Sequence, residues 1–382
     1  MSFFRRKGRS AAAVVAIVGL VSLFGASPAT SVTGLGAPTL DPASDTGESS
    51  SDGVTNANSL SFLAVGTLAD GEKWQLLEDG MPVGTASATS PIVYGSGVTP
   101  SPAGTHVYKM RVVDSMNATV EDSAGITVTV DRTAPTATAG APDLDAANDS
   151  GASATDNITK STARSFAVAV SDGPIAADER LQLLRVGTPV VAGATSPLTD
   201  TAAVDGSYAY TARVIDAAGN ASAPSPATSV TIDTVALPPG VALTTASDTG
   251  RSSSDGITTT LNQVTGLHTT TLAFNFSGET GAVLSSWTRK IGAAAAAPRT
   301  FASAATTQAM PAGTATATDA VGVLATIAPA NGSYLYTVVQ TDLAGNVSTP
   351  GSTTVILDTV APAPAVVTLD STTDSGPSSS DG

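Results

Sequence analysis

Four acidic positions recur along this chain in one setting. Asp45 lies in S-D-T-G-E-S-S-S-D-G, Asp149 in N-D-S-G-A-S-A-T-D-N, Asp248 in S-D-T-G-R-S-S-S-D-G and Asp374 in T-D-S-G-P-S-S-S-D-G. Their separations are 104, 99 and 126 residues. A second acid closes each of these runs, among them Asp52 and Asp156. Two further blocks repeat in the same order: D-x-A-G-N, with Asp216/Asn220 and Asp342/Asn346, and a closing Asp at Asp131, Asp233 and Asp358. The chain has no Cys and only two His. Carboxylate and carboxamide oxygens clustered in loop sequence are hard donors of the kind that Ca²⁺ selects over thiophilic metals. The same residue types also close Asx turns with no ion at all. Both chemistries remain open at this level.

Catalysis finds little support. His106 falls in a strand column otherwise filled by Tyr208 and Tyr334, and His268 has no partner in the pattern. The serine runs at Ser49–Ser51 and Ser252–Ser254 lack the G-x-S-x-G elbow that exposes a nucleophile. Acid pairs could serve a glycosidase, yet these recur once per repeat, whereas an active site normally occurs once per chain. The expectation is a protein that is not an enzyme, with no catalytic residues.

The elements that must position these residues are strands. Between the blocks, apolar residues alternate with period two, as half-buried strands require. Leu60/Phe62/Ala64, Phe166/Val168/Val170 and Leu272/Phe274/Phe276 fall on one face, and Val128/Val130, Val230/Ile232 and Val355/Leu357 on another. Trp74, Leu181 and Trp287 are expected in one column, and Tyr108, Tyr210 and Tyr336 in a second. About seven short strands in roughly 100 residues is the arithmetic of an immunoglobulin-like sandwich. The predicted fold is all-β: tandem immunoglobulin-like β-sandwiches in an elongated array after a signal peptide.

That topology brings the acids together. The loop after the first strand and the end of the last strand lie at the bottom of a repeat, and the loop before the last strand lies at the top. Asp149, Asp156, Asp233, Asp342 and Asn346 are therefore expected to meet at one joint. Asp45, Asp52, Asp131, Asp216 and Asn220 are expected to meet at the joint before it. These ten residues are the candidate metal ligands. The first repeat carries Asp114-Ser-Met-Asn117 where the others have D-x-A-G-N, in keeping with a repeat that has nothing above it.

Taken together, L-D-x-x-S-D-[TS]-G-x-S-x-x-D, D-x-A-G-N and D-T-x-A-P resemble the bacterial Ig-like repeats of large surface adhesins and biofilm-associated proteins, from Ala37 to the C-terminus. The resemblance implies long extracellular stalks carrying a binding tip, often stiffened by Ca²⁺ at domain junctions. The third repeat departs from the pattern over Gly278–Ala320, where an alanine run leaves the middle strands unplaced.

Bulk composition agrees with an exported, non-nucleic-acid role. The 382 residues carry 17 Lys+Arg against 32 Asp+Glu, a net charge of −15. Such a surface repels nucleic acid and anionic lipid. A basic Met1–Arg9, an apolar Ala11–Ala26 and the small residues Ser27-Pro28-Ala29 read as a secretory signal cleaved after Ala29. The expected division is 1–29 signal peptide, 30–37 linker, 38–134 repeat 1, 135–236 repeat 2, 237–361 repeat 3 with an insertion, and 362–382 the start of a fourth. The expected role is a secreted or cell-surface stalk of an adhesin or biofilm matrix protein. Its partners would be neighbouring repeats and a surface, matrix or host ligand at a distal tip, with the membrane met only during export. The alternative is the spacer region of a secreted polysaccharide-degrading enzyme whose catalytic domain lies beyond residue 382.

Overall fold

The computed structural model describes residues 32–382 except 96–99, 202–203, 260–270, 292–295, 300–306, 321–330, 368–369, 371, 373–377 and 379–382. The expected signal segment and His268 lie outside the described residues. Every regular element described is a strand, and among the described residues no helix is long and apolar enough to cross a membrane. The chain divides between Arg132 and Thr133 into two compact units. The first holds repeat 1; the second holds repeats 2 and 3.

Repeat 1 contains β1 (Thr33–Leu40), β2 (Val54–Thr55), β3 (Leu60–Thr67), β4 (Lys73–Glu78), β5 (Met81–Ser87), β6 (Ile92–Tyr94), β7 (Gly104–Val113), β8 (Thr119–Asp122) and β9 (Ile126–Val130). One sheet has the order β1-β3-β6, and the other runs β2-β9-β7-β4-β5 with β8 beside β7. The first strand thus belongs to one sheet and its continuation, β2, to the other, where it pairs in parallel with β9. Repeats 2 and 3 repeat this switch: Ile158–Thr159 runs parallel to Thr228–Ile232, and Ile257–Thr258 parallel to Gly351–Leu357. The segment between the two halves of the first strand is the S-D-x-G block, so the motif is a crossover between sheets.

Alternation explains why the sheets face each other. Leu60, Phe62, Tyr108, Met110, Val128 and Val130 are buried in repeat 1, and separate cores around Phe166, Tyr210, Ala212 and Val230 and around Leu272, Phe274, Tyr336 and Val355 form in repeats 2 and 3. In repeat 2 the buried Arg164, paired with Asp200, stands where Leu60 stands in repeat 1. Each core contains the same aromatic pair: Phe62–Tyr108, Phe166–Tyr210 and Phe274–Tyr336, with ring centroids 4.5, 4.5 and 4.4 Å apart. Such a pair contributes about 0.5–1.5 kcal/mol beyond its buried area. With no disulfide between the sheets, this packing holds each repeat.

Two expectations need correction. Residues 30–37 are not simply a linker: β1 begins at Thr33 and Val32 packs in the first core. Trp287 does not share a row with Trp74 and Leu181. Trp74 lies opposite Val112 and Leu181 opposite Val214, whereas a bulge between Leu284 and Ser286 brings Trp287 opposite Val338. That is the row of Leu76 and Leu183. Leu284, opposite Gln340, takes the place Trp74 holds. The stretch from Gly278 to Ala320 supplies the strands Val283–Ile291, Ala297–Pro298, Gln308–Ala309 and Thr314–Ala320.

The outermost strand of each larger sheet carries a proline at one register position. Pro82 pairs with Leu77, Pro189 with Leu184 and Pro298 with Thr288. In the first two hairpins a two-residue turn with positive φ, Asp79-Gly80 and Val186-Gly187, precedes the proline by one residue. The hydrogen-bonded pair closes such a turn, so the next residue's nitrogen faces away from the sheet. At the third, Arg299 N donates inward to Trp287 O (2.7 Å), which sets Pro298 outward in the same way. Each proline removes an N–H from the open edge.

Candidate functional site

The crossover is built from short polar side chains that hydrogen-bond the backbone as it changes sheets. In repeat 1, Ser44 Oγ accepts Ser61 N (3.0 Å), Thr55 Oγ1 donates to Ser44 O (2.7 Å), and Thr46 Oγ1 accepts Asn56 N (2.9 Å). Asp45 Oδ2 accepts Gly53 N (3.1 Å) and Asp52 Oδ1 accepts Val54 N (3.0 Å). Repeat 2 substitutes Asn148, Thr159 and Ser150 in the first three roles, with Asp149 on Asn157 N (3.1 Å) and Asp156 on Ile158 N (3.0 Å). In repeat 3 the roles fall to Ser247, Thr258, Thr249, Asp248 and Asp255. The motif is therefore a hydrogen-bond circuit of Asx-turn type, and nearly every polar residue in it has an assigned task.

One atom per repeat is left over. Oδ1 of Asp45, Asp149 and Asp248 is buried with no hydrogen-bond partner, and the three residues are 5%, 5% and 4% exposed. Burial raises the pKa of Asp45 and Asp149 above the usual carboxylate value, with backbone N–H donors opposing it and the neighbouring Asp52 or Asp156 adding to it. An unpaired buried carboxylate oxygen is costly unless a proton or a cation meets it.

Within the second unit, the repeat 2 crossover meets the D-L-A-G-N turn of repeat 3. Three successive carbonyls of the turn accept from the crossover: Leu343 O from Ala152 N (3.1 Å), Ala344 O from Ser150 Oγ (2.9 Å), and Gly345 O from Lys160 Nζ. Asn346 Nδ2 returns a bond to Asp233 O (2.8 Å). The approach requires two glycines. A Cβ on Gly151 would lie 1.9 Å from Leu343 O, and one on Gly345 would lie 2.9 Å from Gly151 Cα. Both have positive φ, +107° and +87°. The linker is tied in as well, since Gln340 Nε2 donates to Leu237 O (2.7 Å).

The expected ligands have these placements. Asp342 accepts Asn346 N on Oδ1 (2.8 Å) and Asn346 Nδ2 on Oδ2 (2.8 Å). Asp216 and Asn220 make the same pair at 2.8 and 2.9 Å. Asp233 Oδ1 accepts Val235 N (3.2 Å), and its own N donates to Thr159 O (2.9 Å). Asp131 N donates to Thr55 O (2.9 Å) in the first unit. In the second unit, the structure brings the backbone around Asp149, Asp233, Asp342 and Asn346 to one joint while spending most of their side-chain atoms on turns. Among the described residues no group of three His, Asp or Glu side chains stands at metal-ligand spacing.

Sequence reasoning missed Glu279, Gln340, Ser150 and Lys160. Glu279 faces Asp233 and Asp342, and burial followed by these two charges raises its pKa while Leu237 N opposes. Glu279 lies in the stretch whose strands the pattern could not place, whereas Gln340 lies in the recurring block before the last strand, at the position that Val112 and Val214 hold in the other repeats. Lys160 follows the crossover, where the other repeats have Asn56 and Thr259, and its difference from them was the available signal. His106 sits in the expected strand column, opposite Val128, with Nδ1 2.8 Å from Asp79 Oδ2.

Residues 136–234 match the family model of the bacterial Ig-like domain. No curated protein matches the chain. Among solved structures, the fibronectin(III)-like modules of Clostridium thermocellum CbhA align at 17% identity over 51% of this chain and 94% of theirs, with a TM-score of 0.34. A tetra-tandem repeat in the extending region of a large adhesion protein aligns at 15% identity over 85% and 75%, with a TM-score of 0.26. The three N-terminal domains of the bacteriophage RB49 Highly Immunogenic Outer Capsid protein align at 9% identity over 87% and 99%, with a TM-score of 0.27. At these identities and scores the likenesses carry no argument about what the chain binds or does.

Proposed function

We propose that this chain is an exported, surface-exposed structural segment, a series of bacterial Ig-like repeats that holds a binding function away from the cell as the stalk of an adhesin or matrix protein. The observation that carries the reading is the use of the recurring motifs. Their polar residues are spent on changing sheets within each repeat and, in the second unit, on docking repeat 2 against repeat 3, which is the economy of a repeat array. The test is protease accessibility on intact cells that produce the chain. A stalk is cut from outside without lysis; protection until lysis overturns the reading.

We further propose that divalent cations, Ca²⁺ first among them, associate with the crossovers. The donor chemistry fits: hard oxygens, with Oδ1 of Asp45, Asp149 and Asp248 buried and unpartnered, and a second acid seven residues on. Asp45 with Asp52 and Asp149 with Asp156 would hold the ion, and a bound ion would supply the positive charge these oxygens lack. Asp342 and Asn346 are poorer candidates because they already satisfy each other. The check is thermal unfolding of the chain in EDTA, Ca²⁺ and Mg²⁺. An ion at about 100 times its dissociation constant adds about 2.7 kcal/mol. A Ca²⁺-specific rise, lost in Asp45→Asn/Asp149→Asn/Asp248→Asn, supports the site; superimposed curves overturn it and leave the acids as turn residues.

A further inference from the structure

The three turns that precede the last strand have the same backbone closure and different docking chemistry. In repeat 3, Asp342 N donates to Asn346 O (3.1 Å) and Asn346 N to Asp342 Oδ1 (2.8 Å). In repeat 2 the pair is Asp216 and Asn220, at 3.0 and 2.8 Å. In repeat 1 it is Asp114 and Ala118, at 2.9 and 2.8 Å. This register aligns Asn117 with Gly219 and Gly345, and Ala118 with Asn220 and Asn346. The expectation from sequence, which matched Asn117 to the asparagine of the motif, is therefore off by one residue. Asn117 holds the left-handed conformation, φ 63°, without being glycine.

Both changes fall on groups the repeat 2–3 joint uses. The glycine position is where a Cβ would meet Gly151 Cα at 2.9 Å, so an asparagine there would strike an approaching crossover. The asparagine position supplies the Nδ2 that binds the preceding repeat's closing Asp through its carbonyl; alanine supplies nothing. Met116 adds a side chain 83% exposed at the middle of the turn. The turn of repeat 1 keeps its backbone closure; it lacks the side-chain bond that Asn220 and Asn346 return to the motif Asp, and it is altered as a docking surface.

The receiving face is more uniform. The hydroxyl that Ser150 offers to Ala344 O has counterparts in Thr46 and Thr249, which occupy the same place in the crossover circuit. Lys160 is particular to repeat 2, since Asn56 and Thr259 fill its position.

We propose that the S-D-x-G crossover is a receptor for the D-x-A-G-N turn of the following repeat, that the turn's glycine and asparagine are the recognition elements, and that repeat 1 is the capping repeat of the array, its turn unable to receive a crossover from another repeat or a second copy of the chain. This deepens the stalk reading, and its test is separable from it: surface exposure would stand even if the docking rule fell. Geometry sets the polarity. A crossover accepts a turn below it, and a repeat with a defective turn can only stand at the start.

The experiment grafts the two repeat 1 residues into repeat 3 of the full chain: Gly345→Asn and Asn346→Ala, with the buried Ala344 left in place. Hydrogen exchange is read at the Ala152 amide, which bonds across the joint, and at the Asp149 amide, which bonds Asp145 O within the crossover (3.0 Å). The double variant is expected to speed Ala152 exchange at least tenfold and leave Asp149 unchanged. A control with only Leu343→Ser keeps both protected. Retained protection of Ala152 in the double variant, or its loss in the control, overturns the assignment of glycine and asparagine. If the graft unfolds repeat 3, Lys160→Met reports on the same joint from the other side through an exposed residue. Faster Ala152 exchange with unchanged Asp149 supports the docking geometry, and no change overturns it.

Discussion

At the scale of single residues, Asp45, Asp149 and Asp248 stand apart because each has one oxygen in use and one buried without a partner. For Asp45 and Asp149 the folded pKa is raised, chiefly by burial. The ionised form is thus disfavoured by folding: their contribution to stability is fully present below the unfolded value of 3.8 and is lost as pH rises through the raised folded value. Without divalent ions, the chain is expected to become more stable as pH falls from neutral toward 4. Melting temperatures in EDTA across this range check it, and Asp45→Asn/Asp149→Asn should flatten the slope. Asp79 and Asp122 act oppositely, but their pKa values are lowered and their loss comes only below 3.8. His106 has its pKa raised, first by the Asp79 hydrogen bond, with burial opposing and Glu78 assisting. Its contribution is present below 6.5 and lost as pH rises through the raised value. A ring-proton titration should place His106 above 6.5, and Asp79→Asn should bring it down.

At the scale of elements, the crossover depends on a buried threonine in each repeat. Thr159 Oγ1 donates to Asn148 O, lies 3.2 Å from Ser150 Oγ and accepts Ser161 N (2.9 Å). Thr159→Val keeps the branched shape and deletes these bonds, leaving Asn148 O and Ser161 N to find other partners. Urea denaturation should show a loss of about 1–3 kcal/mol. The strands around it were legible in the sequence because a two-residue period has only one solution when one face is buried: Leu60/Phe62 and Val128/Val130 fall where expected. The Tyr108, Tyr210 and Tyr336 column was legible for the same reason, with each tyrosine buried. Trp287 was not, because a bulge shifts its row and leaves the alternation on either side intact. The sheet switch of the first strand was also hidden, since β2 and its counterparts are two residues long and carry no period of their own. Joint carbonyls such as Leu343 O leave no side-chain signature; the glycines that admit them were visible only as motif letters.

At the scale of the molecule, the proline column governs what the repeats do beside one another. An exposed edge strand is a template for pairing with another chain, and edge prolines blunt it. Pro82→Val/Pro189→Val/Pro298→Val should restore three outward N–H groups while leaving each core in place. The expected result is self-association in sedimentation at concentrations where the parent chain stays monomeric, with little change in melting temperature. Cross-joint and within-repeat contacts then set the direction of assembly, and the edges stay silent.

The parallel pairing of β2 with β9, and of its counterparts in repeats 2 and 3, has a mechanical consequence. Tension along the chain enters a repeat through its first strand and leaves through its last. Because these two strands run the same way, opposite pulls on them slide one past the other. Their hydrogen bonds are loaded together in shear and cannot open one by one as in a zipper. Resistance to forced unfolding follows the barrier to that concerted step, so each repeat can be a stiff spring under load while its equilibrium stability remains ordinary.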